Sequence, residues 1–222
     1  MFARFDRMAK AFTRIGKEIS IAVKQGGPHP EHNPKLRLAI QNAKGANMPK
    51  DRVDAAIKRA SSKDEKDFQE ITYEGYAPHG VPIIVECATD NPTRTVANVR
   101  LHFSKNGGAM GNSGSVLFMF ERKGVFKFDQ LDLAQYELDL IDAGAEEIQV
   151  QDGETIIYTK FNDFGNMQKF LESQGLEPKG AEIHYIPNAT KELPDQEMDE
   201  VLKCIEALES DDDVQTVHHN LA

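Results

Sequence analysis

The stretch VFKFDQLDLAQYELDLIDAGAEEIQVQDGETIIYTKFNDFGNMQKFLESQGLEPKGAEIHYI, residues 125–186, switches between two periodicities. Short runs rich in β-branched and aromatic residues predict strands over Val125 to Phe128, Glu147 to Gln151, Thr155 to Phe161 and Ala181 to Ile186. Between them, helical spacing predicts helices over Leu131 to Ala143 and Phe164 to Ser173. The order βαββαβ is that of a split βαβ, or ferredoxin-like, unit.

Upstream, Phe68 to Tyr76 and Val81 to Thr89 read as strands separated by the turn Ala77-Pro78-His79-Gly80. Asp90 or Asn91 is placed to cap a helix running to about Lys105. Gly107-Gly108 ends that helix before a strand expected over Ser115 to Phe120. Downstream, Pro194 to Leu208 predicts a helix and Val214 to His218 a strand, after the acidic Asp211 to Asp213. This last pair completes the interrupted β-β-α-β sheet, which makes the middle domain discontinuous.

The first sixty residues read as helices. Phe12, Ile15, Ile19 and Val23 recur at helical spacing from Ala9 to Val23, and Gly26-Gly27-Pro28 stops the pattern. A second helix opens with Asn33 as N-cap and Pro34 in the first position, burying Leu36, Ala39, Ile40 and Ala43. A third starts near Pro49 and turns Val53, Ala56, Ile57 and Ala60 inward. The expected fold class is α+β: an N-terminal three-helix module followed by two α+β, ferredoxin-like domains, the middle one discontinuous. The expected domains are a basic helical domain with its linker over 1–67, a middle domain over 68–123 plus 190–222, and an inserted acidic domain over 124–189. The charged, aperiodic Ser61 to Asp67 is the linker.

Charge divides unevenly along the 222 residues. Residues 1–60 carry +8, residues 61–124 carry −1 and residues 125–222 carry −17, for a net −10. A basic module facing polyanions and an acidic module turned away from them, or facing a basic partner, is one reading; solvated faces are the plain alternative. The 40% apolar and 28% charged content is that of a globular chain, not a disordered one. No apolar run reaches the length of a membrane span and Met1 to Lys10 lacks a signal-peptide core, so a cytoplasmic location and no membrane partner are expected. The cysteines Cys87 and Cys204 read as reduced structural thiols.

Several motifs stand together in order. They are Asn47-Met48-Pro49-Lys50-Asp51 with Ala56-Ile57-Lys58-Arg59, Tyr73-Glu74-Gly75-Tyr76, Thr89-Asp90-Asn91 with Arg94-Thr95-Val96-Ala97, and Gly114-Ser115-Val116. In these the chain resembles the YebC family over residues 10–222. The family includes bacterial proteins described as DNA-binding transcriptional regulators and the mitochondrial translational activator of cytochrome c oxidase. The resemblance implies a helical module with two α+β domains. It also implies either a DNA-binding transcriptional regulator or a ribosome-associated factor that binds ribosomal RNA and relieves stalls at proline-rich sequences. Many members open with a Gly-His-Ser-Lys-Trp segment that Met1 to Met8 does not match, which puts phosphate contacts by that segment in doubt.

The cations supply the physical case for binding, because Lys and Arg that neutralise phosphates release counterions. Lys10, Arg14, Lys17 and Lys24 fall within an arc of roughly 80° on the first helix, opposite its apolar stripe. Lys35, Arg37 and Lys44 flank the second stripe, and Lys50, Arg52, Lys58 and Arg59 lie outside the third. Arg94, Arg100 and Lys105 share the next predicted helix and extend the candidate surface, or are solvated charges. The Gly107, Gly108, Gly111 and Gly114 backbone offers N–H groups to a phosphate or a peptide, or is a flexible connection. It is neither a Walker loop nor a dinucleotide fingerprint.

No catalytic residue, cofactor or metal is expected. His29 and His32 lack further ligands nearby, and Ser113 in Gly-Asn-Ser-Gly is no nucleophile elbow. The expected partner is nucleic acid, DNA or ribosomal RNA, with the ribosome or a basic protein as a second partner for the acidic domain and no small-molecule substrate. A pure protein-binding adaptor is the remaining alternative.

Overall fold

The structure is a computed structural model that describes residues 2–62 and 67–222, with side chains from residue 8 onward. The middle of the expected linker and most of the atypical Met1 to Met8 side chains therefore lie outside the described residues. The elements are α1 Phe2–Gly26, α2 Pro34–Gly45, α3 Lys50–Ala60, β1 Gln69–Ala77, β2 Val81–Thr89, α4 Pro92–Lys105, β3 Ala109–Met110, β4 Phe120–Phe128, α5 Leu133–Asp142, β5 Ala145–Gln151, β6 Glu154–Lys160, α6 Phe164–Gln174, β7 Gly180–Pro187, α7 Asp195–Glu209 and β8 Val214–His219. The fold is α+β, with helices first and two four-stranded sheets after them. No described helix is long and apolar enough to cross a membrane.

The chain divides into two compact units. The first holds Met1–Lys17, Asp64–Glu121 and Tyr185–Ala222; the second holds Glu18–Lys63 and Arg122–His184.

In the first unit the sheet order is β3-β1-β2-β8, so β8 from the end of the chain completes the sheet begun at β1, as the sequence predicted. β1 and β2 pair antiparallel from Gln69↔Thr89 to Ala77↔Val81 around a tight turn with positive φ at His79 and Gly80. Central β2 is buried on both faces, which explains its unbroken apolar run. Val81, Ile83, Val85 and Cys87 share a core with Val99 and Phe103 of α4 and with Val201, Cys204, Ile205 and Leu208 of α7, while Ile84 packs with Val116 and Phe120. Both thiols are free and buried; burial pushes Cys87 up to about 12 and Cys204 up to about 11.

The strand expected over Ser115 to Phe120 does not form. After the two-residue β3 the chain turns through the glycines, makes a short 3-10 turn over Leu117–Met119, and enters β4 only at Phe120. Amides that a strand would pair with a neighbour are taken instead by a buried carboxylate, described below.

In the second unit the order is β5-β6-β4-β7, the arrangement of a split βαβ, with β4–β6 and β5–β6 antiparallel. Phe126, Phe128, Leu140, Ile157, Met167, Leu171 and Ala181 form its core, and Phe126 stacks on Phe164 at 4.8 Å between centroids. The helices of this unit belong to the same packing. Asn33 caps α2 by accepting from the Leu36 N–H and donates to the carbonyls of Ala22 and Gly27. Asn47, at φ 56, turns the chain from α2 into α3. Leu38 of α2 packs on the sheet's core, and Asn42 makes a two-way bond with the backbone of Ala181, at 3.0 and 2.9 Å. Gly45 permits that approach, since a Cβ there would lie 1.6 Å from the Lys179 carbonyl oxygen.

Candidate nucleic-acid interface

The cations named from sequence meet three different fates. Lys17 is the clearest departure: it is only 9% exposed. Its Nζ donates to the carbonyls of Ala88 and Asp212 and to Asp213 Oδ1, at 2.8, 2.6 and 3.1 Å. Those three acceptors use all three ammonium donors, so Lys17 is a structural lysine and leaves the candidate set. Its neighbour Arg14 is half-buried and donates to the Glu209 carbonyl, while Lys10 is half-buried and Lys24 exposed, with Nζ 3.3 Å from the Ser62 carbonyl.

On α2 two of the three cations face acids of the second unit, while Lys35 donates to Gln25 Oε1 at 2.7 Å. Arg37 donates to the carbonyl of Pro30 and to Glu172, and Lys44 pairs with Glu177. On α3 they do not. Lys50, Arg52, Lys58 and Arg59 are all exposed, Lys58 and Arg59 turned away from buried Val53 and Ala60 and Lys50 and Arg52 flanking that buried stripe, with Asp51 and Asp54 among them. Among the described residues the side chains of Lys50, Lys58 and Arg59 have no hydrogen-bond or ion-pair partner. Arg100 and Lys105 are likewise exposed on α4, in the first unit, but Arg94 is held by Asp90 at 2.9 Å and by Asp213 at 2.7 Å.

The glycine loop is less open than its sequence suggests. Glu74, 3% exposed, points its carboxylate into the loop and accepts from the N–H groups of Gly114, Val116 and Leu117 at 2.6, 2.7 and 2.9 Å. Burial works to raise the Glu74 pKa, but the backbone donors outweigh it and hold the carboxyl below its ordinary value. The loop is thus a nest already filled by the chain's own anion. Gly111 donates to the Glu74 carbonyl and Gly108 to that of Phe103, which removes those two N–H groups and that of Gly114 from the candidate phosphate contacts. A Cβ at Gly108 would lie 2.5 Å from the Tyr76 carbonyl oxygen, and Gly107 and Gly114 have φ of 73° and 82°, so all three are needed for the loop's path.

Sequence reasoning missed Asp213, around which the first unit closes. Its carboxylate receives Lys17, Arg94, Thr89 and Thr95, the last two at 3.2 and 2.9 Å. Burial raises its pKa, but hydrogen bonds from Arg94, Thr95 and Lys17 prevail and hold it below its ordinary value. The motif Thr89-Asp90-Asn91 with Arg94-Thr95 is therefore a junction: Asn91 caps α4, Asp90 orients Arg94, and the threonines tie β2 and α4 to the start of β8. A signal was present in the acidic run 211–213 next to a predicted strand, but pairing it with Lys17 required the fold.

Comparison with known proteins accords with this architecture. The family described as "TACO1/YebC protein N-terminal domain" matches residues 1–63, and that described as "TACO1/YebC second and third domain" matches residues 68–221. A "Probable transcriptional regulatory protein" of Cytophaga hutchinsonii is 58% identical over 221 residues, covering 99% of this chain and 93% of that one. A protein of the same name from Myxococcus xanthus is 53% identical over 229 residues, covering 100% and 95%. The crystal structure of a conserved hypothetical protein from Aquifex aeolicus superposes with a TM-score of 0.84 at 38% identity, covering 96% of this chain and 90% of that one.

Proposed function

Because the chain belongs to the TACO1/YebC family, whose Cytophaga hutchinsonii and Myxococcus xanthus relatives are named probable transcriptional regulatory proteins, we propose that it is a nucleic-acid-binding regulator of gene expression that acts on DNA, with the exposed cations of α3 as its principal contact. The observation that carries this reading is the contrast between Arg37 and Lys44 of α2, which are paired with acids, and Lys50, Lys58 and Arg59 of α3, whose side chains have no partner among the described residues. Exposed Lys and Arg of one helix with no ion pair among the described residues are what a phosphate backbone recruits, since no internal pair must be broken first. Arg100 and Lys105 on α4 supply further contacts. No side chain identifies a base, so the binding read here is electrostatic and independent of sequence.

In this reading the chain works as a basic helical module over 1–67, a discontinuous module over 68–123 with 190–222, and an acidic module over 124–189. These are functional divisions: α2 is packed onto the last of them through Leu38 and Asn42. The compartment is the cytoplasm, in keeping with two buried, reduced thiols. The test is to crosslink the protein in its native cells and sequence the recovered DNA and RNA side by side. Promoter DNA enriched over ribosomal RNA is the expected result. Ribosomal RNA recovered at one locus without a DNA peak replaces transcription with translation as the process regulated.

A further inference from the structure

We propose that Phe118 is a stacking platform for an unpaired nucleobase, an inference that rests on the nucleic-acid reading and adds to it a second kind of contact. Phe118 lies in the run Val116-Leu117-Phe118-Met119-Phe120. Val116 and Phe120 are buried with Ile84, and Leu117 and Met119 pack against the same cluster. Phe118 alone points out, 70% exposed.

Its backbone is pinned from two sides. The Glu74 carboxylate holds the N–H groups of Val116 and Leu117 on one side. On the other, Asn188 donates its side-chain amide to the Phe118 carbonyl at 3.2 Å and its backbone N–H to the Met119 carbonyl at 2.9 Å. A ring held on such a frame loses little freedom on binding, which is the condition under which one aromatic contributes most.

Elimination points to the same residue. The chain has no Trp, so stacking falls to Phe and Tyr. Among the described side chains the exposed aromatics are Phe118 and Phe161, and Phe161 is the less exposed of the two, with one face covered by the Arg122 guanidinium at 4.0 Å. The residues leading up to Phe118 favour a base over an apolar protein partner. Gly111-Asn112-Ser113-Gly114 is polar and uncharged, with Asn112 and Ser113 exposed, suited to hydrogen bonds with a base edge or a sugar. A protein hot spot would sit inside a larger apolar patch.

The test compares the full-length wild type with Phe118→Ala and Phe118→Trp, each titrated at one salt concentration with a short mixed-sequence single strand and with its blunt duplex. Phe118→Ala is expected to lose roughly five-fold to a hundred-fold in single-strand affinity, the range of one base–aromatic stack, with duplex affinity unchanged. The Phe118→Trp variant, whose indole is the only one in the chain, is expected to keep wild-type affinity and to be quenched by the single strand. Equal single-strand binding by wild type and Phe118→Ala, with unquenched emission at saturation, overturns the platform and leaves the α3 reading standing. A wild type that binds neither form overturns that reading, and the platform with it.

Discussion

Helices α2 and α3 read alike in sequence, each short, basic and amphipathic, yet they end in opposite electrostatic states. Arg37 and Lys44 of α2 meet Glu172 and Glu177, supplied from more than 130 residues away, while Lys50, Lys58 and Arg59 of α3 meet solvent. Lys17 of α1 goes further than either and is enclosed by Asp213 and two carbonyls. A cation's availability for phosphate is thus decided by which acids the rest of the chain brings to it, and a helical wheel shows only where it can point.

The contrast can be broken most forcefully at its buried end. Asp213→Ala leaves the Lys17 ammonium buried without its counter-charge, and is expected to cost about 3–5 kcal/mol in urea unfolding. A loss within the range of a surface substitution would mean that Lys17 is solvated and belongs back among the phosphate contacts.

Next in size is Glu74→Gln. One of the two carboxylate oxygens becomes an N–H₂ group that cannot accept from the loop amides, at a cost of about 1–3 kcal/mol. The readout is unfolding together with protease sensitivity at Gly111 to Ser115; an unchanged loop would contradict its description as a nest filled from within.

These two carboxylates also set an acid response. Both lie below their ordinary values of 3.8 for Asp213 and 4.5 for Glu74, so on acidification the unfolded chain takes up these protons first. Their contribution is whole above the ordinary values and is lost as pH falls through the lower folded-state values. Stability measured against pH should therefore fall below about pH 4.5, and less steeply in Glu74→Gln than in wild type. Parallel curves would remove Glu74 from that account.

The smallest effect is expected on α2. Arg37→Ala with Lys44→Ala removes two exposed ion pairs, each worth about 0–1 kcal/mol to stability, and should leave nucleic-acid affinity within a few-fold of wild type. A large loss of binding would erase the distinction between α2 and α3.

Features settled by neighbouring residues were legible in the sequence. Asn33 caps α2 as read, and Asn91, one of the two residues offered for α4, caps that helix, because a cap depends on amides two or three residues away. The βαββαβ order and the return of β8 to the middle sheet followed from apolar periodicity and strand count. Features settled by distant residues were not. The strand expected at Ser115 to Phe120 had suitable residues, but Glu74, more than forty residues upstream, takes the Val116 and Leu117 amides, and local turns take those of Ser115, Met119 and Phe120. The arc of Lys10, Arg14, Lys17 and Lys24 was drawn correctly on α1, but its solvation depended on Asp213, 196 residues from Lys17. Phe118 was hidden for the converse reason, since an apolar run gives no sign of which member will be turned outward.

The most direct measurement is the salt dependence of nucleic-acid affinity for three proteins: wild type, the α3 reversal Lys50→Glu with Lys58→Glu and Arg59→Glu, and the α2 reversal Arg37→Glu with Lys44→Glu. The account predicts a steep fall of affinity with salt in wild type. It predicts a slope shallower by about 3 and an affinity about a hundred-fold or more weaker in the α3 reversal, with the α2 reversal close to wild type. Equal losses in the two reversals, or a wild-type affinity indifferent to salt, would contradict it.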